Sequence, residues 1–309
     1  MKAIRIHEFG GPEVLKYEEA PRPVIAADEV LIKVYASGVN PVDYKMREGL
    51  AESLFPIDLP FIPGWDVSGE IEEVGSDILT FKKGNEVYGR PDVTRNGTYA
   101  EYVAVKADQI NFKPQSIDHD KAAAVPLAGL TAWQSLFTYG KLEEGQKVLI
   151  HAASGGVGSF AVQLAKWKGA RVIGTASEEN IDFLFDLGAD GAIDYKNEKF
   201  EDKITGVDLV LDLMGGDTQK RSLKVIKKGG RLITIVQPQY QEEAKARGIH
   251  MEAFLTKSLP EELQQLTNLI DSGKIKPIVT QKFALKDAAE AQIEIAKGHT
   301  RGKIVLTVV

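Results

Sequence analysis

Lys147-Val148-Leu149-Ile150-His151-Ala152-Ala153-Ser154-Gly155-Gly156-Val157-Gly158 opens the stretch that decides the fold. Val148-Leu149-Ile150 is a short apolar run between Glu143-Glu144-Gly145 and a glycine cluster, as expected of a strand buried on both faces of a parallel sheet. Gly155 and Gly158 stand where the last two glycines of the dinucleotide fingerprint fall, with Ala153 in place of the first. A glycine at 155 lets the backbone approach a pyrophosphate, one at 158 lets helix and strand pack closely, and the free N–H groups of the helix start face the anion. Ala153, Ser154, Gly155, Gly156, Val157 and Gly158 are therefore the expected cofactor-binding turn. Ser159 to Lys168 carries Phe160, Val162, Leu164, Ala165 and Trp167, enough for a helix packed on a sheet, and Gly169-Ala170 closes it before a second strand, Arg171-Val172-Ile173-Gly174.

Outward from that unit, strands alternate with helices at Gly191–Asp194, Val207–Asp212 and Gly230–Val236, which predicts a doubly wound parallel sheet and an α/β class. Glu261–Ser272 reads as a helix with Leu263, Leu266 and Ile270 on one side and Gly273 as its C-cap. Upstream of Asp118 the texture is different. Lys2–His7, Glu29–Ala36, Asp66–Val74 and Tyr99–Lys106 are short runs rich in Val, Ile and Tyr, separated by turns such as Gly10-Gly11-Pro12, Pro63-Gly64 and Asn96-Gly97. They predict a compact, mostly antiparallel barrel-like domain. The closing run Gly302–Val309 has no place in the wound sheet and is assigned back to this first domain.

The 309 residues leave room for two domains, and 43% hydrophobic with 27% charged residues is the composition of an ordinary globular chain. A formal charge of −6 argues against a nucleic-acid or anionic-membrane footprint, which needs clustered positive charge. No apolar run is long enough to span a bilayer, and Met1 to His7 alternates like a strand instead of forming a signal-peptide core; a cytoplasmic protein is expected. With no cysteine, disulfides, thiolate nucleophiles and cysteine metal sites are excluded.

Five motifs occur in order: Gly38-Val39-Asn40-Pro41-Val42-Asp43-Tyr44-Lys45, Ile62-Pro63-Gly64-Trp65-Asp66-Val67-Ser68-Gly69, Gly97-Thr98-Tyr99-Ala100-Glu101-Tyr102, Ala124-Val125-Pro126-Leu127-Ala128-Gly129-Leu130-Thr131-Ala132, and His151 to Gly158. With them the chain resembles, over nearly its full length, the medium-chain dehydrogenase/reductase superfamily, within it the zinc-free quinone oxidoreductase and enone reductase branch. The resemblance implies a GroES-like catalytic domain from 1–121 and 260–309 and a dinucleotide-binding Rossmann domain from 122–259. It also implies a homodimer joined through the edge of the nucleotide-domain sheet.

Metal-dependent alcohol dehydrogenases of this superfamily hold zinc with a Cys–His–Cys set. The resemblance places Asn40, Trp65 and Leu127 at those positions, and neither Trp nor Leu can ligate zinc, so no metal is expected. Without a Lewis acid an isolated ketone accepts hydride poorly, whereas a quinone or an α,β-unsaturated carbonyl spreads the incoming charge. The expected substrate is therefore a small-molecule quinone or enone. Asn40, Asp43, Tyr44 and Lys45 are the candidate catalytic residues, with Asn40 orienting a carbonyl or carboxamide and Tyr44 or Lys45 donating to the acceptor oxygen. The same residues also suit a turn, a helix cap and a solvated surface.

At the end of the second strand, Gly174-Thr175-Ala176-Ser177 lacks the acidic residue that grips the 2′-hydroxyl of NADH, which favours NADPH over NADH. The resemblance puts Ser177 and Asn180 beside the 2′-phosphate and Tyr195 in the adenosine pocket; Glu178 and Glu179 depart from the pattern. Met214 and Val236, at the ends of two later strands, are expected near the nicotinamide ribose. Tyr195 and Lys199 match the Tyr-x-x-x-Lys pair of short-chain dehydrogenases, but in a charged loop after a strand instead of on a long helix, and the match is rejected. The expected activity is hydride transfer from NADPH to a quinone or enone without metal. Its rivals are a zinc-type alcohol dehydrogenase and an NADPH-binding regulatory protein without turnover.

Overall fold

A computed structural model describes residues 1–92 and 94–308. In chain order it contains β1 (Lys2–Arg5), β2 (Lys16–Glu19), β3 (Glu29–Val39), α1 (Pro41–Arg47), β4 (Val67–Val74), β5 (Glu86–Gly89), β6 (Tyr102–Lys106), β7 (Ile110–Phe112), α2 (His119–Ala123) and α3 (Pro126–Trp133). Then follow β8 (Lys147–Ile150), α4 (Gly156–Trp167), β9 (Arg171–Ala176), α5 (Ile181–Asp186), β10 (Gly191–Asp194), α6 (Phe200–Lys203), β11 (Val207–Asp212), α7 (Gly216–Ser222), β12 (Ile226–Thr234), α8 (Gln241–Ala246) and β13 (His250–Ala253). The chain ends with α9 (Pro260–Asp271), β14 (Val279–Ala284), α10 (Ala288–Ala296) and β15 (Lys303–Thr307). Of the closing strand expected over Gly302–Val309, the described part is Lys303–Thr307, and Val309 lies outside the described residues.

Two compact units result. The first is Met1–Leu127, Ser258–Gly273 and Pro277–Val309, and the second is Ala128–Lys257 with Lys274–Lys276. In the first, a seven-stranded sheet runs β14-β15-β3-β4-β5-β7, with β6 also on β3. Strand β3 is eleven residues long, and its one edge serves two antiparallel partners end to end: Glu29 to Lys33 pair with β6, and Ala36 to Val39 pair with β15. Register shifts against β4 between Leu31 and Ile32 and between Val34 and Ala36 bend the strand, so the sheet curls over a core of Val30, Ile32, Val34, Val67, Ile71, Val87, Val103, Val105 and Ile110. Helix α9 buries Leu263, Leu266, Leu269 and Ile270. The buried Tyr88 ties it to β5, its hydroxyl donating to the Leu263 carbonyl at 2.8 Å.

The second unit is a six-stranded sheet, β10-β9-β8-β11-β12-β13, parallel throughout. Because each crossover between parallel strands is right-handed, an order that grows from β8 to β10 and then restarts at β11 puts helices on both faces. The strand order reverses between β8 and β11, which is where such sheets take ligands, beyond the carboxyl ends of the strands. Its core gathers Leu149, Phe200, Val207, Val210, Leu223 and Leu232. Most expected elements appear with shifted ends: α4 starts at Gly156 instead of Ser159, and β9 runs on to Ala176.

Candidate active site

Gly155 caps α4 with no side chain of its own, and the first α4 amide with an acceptor is that of Ser159, which donates to the Gly155 carbonyl at 2.9 Å. The amides of Gly156, Val157 and Gly158 precede any intrahelical acceptor, so they form the positive end of a twelve-residue helix dipole. Gly158 is buried against the turn. A Cβ there would lie 2.3 Å from the Ala152 carbonyl oxygen and 2.6 Å from the Ala153 Cα, whereas one at Gly155 would meet only the Ala152 oxygen, at 3.3 Å. Ala153 is accommodated at the first fingerprint position because Gly174 faces it, where a Cβ would come within 2.7 Å of the alanine methyl. Ala153 and Gly158 are thus buried parts of the turn, while Ser154, Gly155, Gly156 and Val157 keep exposed surface.

The carboxyl ends of β9 and β10 lie side by side, with Asp194 opposite Ala176 and the Tyr195 amide donating to the Ala176 carbonyl at 3.1 Å. Ser177 and Asn180, both buried, and the half-exposed Tyr195 are therefore brought together. The Ser177 hydroxyl accepts from the Asn180 side chain at 3.0 Å and donates to the Glu179 carboxylate at 2.9 Å. At the end of β11 the fully buried Asp212 accepts from the amides of Met214 (3.0 Å) and Gly215 (2.9 Å), from Gln219 (2.9 Å) and from the Thr234 hydroxyl (2.9 Å). That carboxylate fixes the turn carrying Met214 beside Val236, whose Cγ2 lies 2.9 Å from where a Gly215 Cβ would stand. His151 is a packing residue. It bridges Thr175 (3.2 Å) and Ser222 (2.9 Å), and burial pushes its imidazole down to about 4.

In the first unit, Asn40 is the N-cap of α1, followed by Pro41, and Asp43 at the third helical position reaches back to accept the Asn40 amide at 2.7 Å. The same Asp43 oxygen accepts from the Tyr99 hydroxyl at 2.9 Å, and its other oxygen has no donor among the described residues. Complete burial raises the Asp43 carboxyl from 3.8 to about 7, with Asp66 adding to the rise and the two hydrogen bonds and Lys303 opposing it. Burial and the neighbouring carboxylate lift the Tyr99 phenol well above its usual range.

The Asn40 side chain is engaged at both ends: its amide donates to Asp66 at 2.8 Å, and its carbonyl accepts from the Lys303 ammonium. Of the four candidate catalytic residues, Asn40 and Asp43 are buried in this network, Tyr44 is partly exposed on α1 and Lys45 is exposed. Asn40, Trp65 and Leu127 are indeed gathered about one point. Asp66 follows Trp65 in the chain, takes Asn40 on one oxygen and accepts the Leu127 amide on the other at 2.6 Å. Trp65 is packed edge-on to Phe55 and beneath the Arg90 guanidinium, 5.2 Å away in each case. No three His, Asp or Glu side chains come together as a metal site among the described residues.

Asp66, Tyr99, Lys303 and Asp212 are the charged or phenolic members of these networks that the sequence reading did not single out, joined by Gln219 and Thr234 on Asp212. Asp66 and Tyr99 lay inside quoted motifs, and Asp212 ended a predicted strand. Lys303 had only the weak signal of one charge at the head of an apolar run, Ile304-Val305-Leu306.

Residues 26–115 match the family described as alcohol dehydrogenase GroES-like domain, and residues 187–306 match the one described as zinc-binding dehydrogenase. The quinone oxidoreductase of Mus musculus is 36% identical over 328 residues, spanning 99% of this chain and 97% of its own. The NADPH-dependent alkenal/one oxidoreductase, chloroplastic, of Arabidopsis thaliana is 36% identical over 321 residues, spanning 99% of this chain and 79% of its own. Among solved structures, the quinone oxidoreductase from Coxiella burnetii superposes with a TM-score of 0.94 at 38% identity, covering 100% of this chain and 99% of that one. The chain belongs to the medium-chain dehydrogenase/reductase superfamily, in its zinc-free quinone oxidoreductase and enone reductase branch.

Proposed function

We propose that the protein is an NADPH-dependent, metal-independent reductase that transfers hydride to a quinone or to the C=C of an α,β-unsaturated carbonyl. The observation that carries this reading is the gathering of Asn40, Trp65 and Leu127 around Asp66, where an amide, an indole and an aliphatic chain stand at the positions of a thiolate and imidazole set. Those groups offer no Lewis-acid site, so the acceptor must delocalise the charge it receives.

NADPH fits the second unit: three amides that precede any intrahelical acceptor and the side-chain-free Gly155 form an anion cradle at the start of α4. When bound, the cofactor supplies the hydride. The amides of Gly156, Val157 and Gly158 would hold its pyrophosphate, Ser177, Asn180 and Tyr195 would line its adenosine end, and Met214 and Val236 its nicotinamide ribose. In the first unit, Tyr44 and Lys45 would supply the donors to the acceptor oxygen, and Asn40 and Asp43 hold the start of their helix. The protein, NADPH and a panel of quinones and enones, followed by cofactor absorbance, test the reading. Turnover that falls in a Tyr44→Phe or Lys45→Met variant supports it, and NADPH binding without oxidation of the cofactor by any acceptor would overturn it.

We also assign the chain to a homodimer built on β13, an edge strand of the parallel sheet with His250, Glu252 and Ala253 exposed and Leu255 exposed just beyond. Light scattering that returns the mass of one chain at micromolar concentration would refute it. No helix among the described residues is long and apolar enough to cross a membrane. The cytoplasm is kept as its compartment, which cell fractionation checks.

A further inference from the structure

We infer that Lys303 is a positioning residue, an internal ammonium that orders the acceptor-binding helix from the place where metal-dependent members of the superfamily hold zinc. The inference rests on the proposed reaction, because what Lys303 orders is α1, the helix carrying Tyr44 and Lys45.

Lys303 is delivered from the far end of the chain. It heads β15, whose next residue, Ile304, pairs with Val39 on β3, and it is 3% exposed. A buried ammonium is tolerated only when its donors are matched. Here three acceptors surround it: the Asn40 side-chain carbonyl, the Val39 backbone carbonyl at 3.2 Å, and the Asp66 carboxylate at 3.5 Å. Asp66 is itself fully buried and is completed by the Asn40 amide and the Leu127 backbone amide.

Asn40 therefore sits between a cation and an anion, and only one orientation of its amide satisfies both. The carbonyl must face Lys303 and the NH₂ must face Asp66, since a flip would set donors against the ammonium and a lone pair against the carboxylate. Asn40 is the N-cap of α1, and its backbone amide is held in turn by Asp43. The ammonium thus reaches the helix through one side chain. The space is closed around this arrangement: a Cβ at Gly38 would come within 2.5 Å of both an Asp66 oxygen and the Ala123 carbonyl. A metal would tie residues 40, 65 and 127 together by coordination, whereas in this chain a pair of opposite charges ties residue 40 to Asp66 and to the C-terminal strand.

The test separates ordering from mere charge balance. Lys303→Met is expected to lower kcat for the acceptor at least tenfold while leaving the NADPH Kd, read by fluorescence titration, within twofold of wild type. Because this single variant strands Asp66 as an unpaired buried charge, Lys303→Met/Asp66→Asn is made alongside it. That double variant removes both charges and is expected to recover the wild-type thermal midpoint without recovering kcat. If kcat returns together with stability, Lys303 only neutralises Asp66 and the inference is overturned. Wild-type kcat in the single variant overturns it as well. A wild-type protein that binds NADPH but reduces no quinone or enone instead removes the proposed reaction, a result obtained before any variant is made.

Discussion

Asp43→Asn is expected to stabilise the protein increasingly as the pH rises. The wild-type carboxyl is completely buried. One oxygen takes the Asn40 amide and the Tyr99 hydroxyl, the other takes no donor among the described residues, and burial carries the group from 3.8 to about 7. At 1.36 kcal/mol per pKa unit, that displacement corresponds to about 4 kcal/mol. A carboxyl with a raised folded-state pKa binds its proton more tightly when folded. Its stabilising contribution is therefore complete below the unfolded value near 4 and is lost as the pH climbs through about 7. Asparagine keeps the shape, accepts both donors on its single oxygen, sets an NH₂ where the unpartnered oxygen stands, and does not ionise. From about pH 5 to about pH 8 the wild type is thus expected to lose about 2.5 kcal/mol that the variant keeps. Urea unfolding of both proteins at intervals across that range, followed by circular dichroism, reads the difference directly. A gap that stays constant with pH, or a wild type that gains on the variant as pH rises, would show that Asp43 is not held neutral by its surroundings.

Other expectations follow from single contacts. Gly158→Ala pushes a methyl into the backbone of Ala152 and Ala153, costs about 1–3 kcal/mol of stability and weakens NADPH binding; an NADPH Kd equal to wild type would refute this. Glu179→Gln removes the carboxylate that holds the Ser177 hydroxyl, and is expected to raise the preference for NADPH over NADH about fivefold, the equivalent of about 1 kcal/mol at an exposed site. Matched titrations with the two cofactors check it, and an unchanged ratio of Kd values counts against it. Arg47 is buried, its guanidinium donating to the Gly10 carbonyl at 3.0 Å, to Gln292 at 2.8 Å and to Glu48. Arg47→Met is expected to destabilise the protein by about 2–3 kcal/mol, visible as a lowered thermal midpoint.

How far the chain could be read without its structure depended on how local each signal was. The β8–α4–β9 unit lies within thirty residues, and its strand run, glycines and helix all act between neighbours, so its residues are legible in order. Strands β2, β5, β7, β13 and β14 were not anticipated. The first four have three or four residues each, and β2 and β13 are largely exposed, leaving too little alternation to detect; β14, six residues long, buries no residue fully and mixes Thr, Gln and Lys with its apolar side chains. Helix α10 was hidden for a related reason, since Ala288 and Ala291 pack through small surfaces that give a weak apolar stripe. The candidate catalytic residues form one short segment that is visible in the sequence, but the sequence could not say which members would be exposed. Tyr44 and Lys45 keep surface on α1, whereas Asn40 and Asp43 are consumed by partners from residues 66, 99 and 303.

By itself the sequence determined the wound sheet, the glycine-rich turn at Gly155 to Gly158 and the presence of Asn, Trp and Leu at positions 40, 65 and 127, because each is a property of residue type and short-range order. Only the tertiary structure decided that Lys303, more than two hundred residues from Asn40 and Asp66, joins them as a buried cation. That contact exists because β15 pairs antiparallel with the end of β3, and strand pairing over such a separation is set by the packing of the whole sheet rather than by any pattern near residue 303.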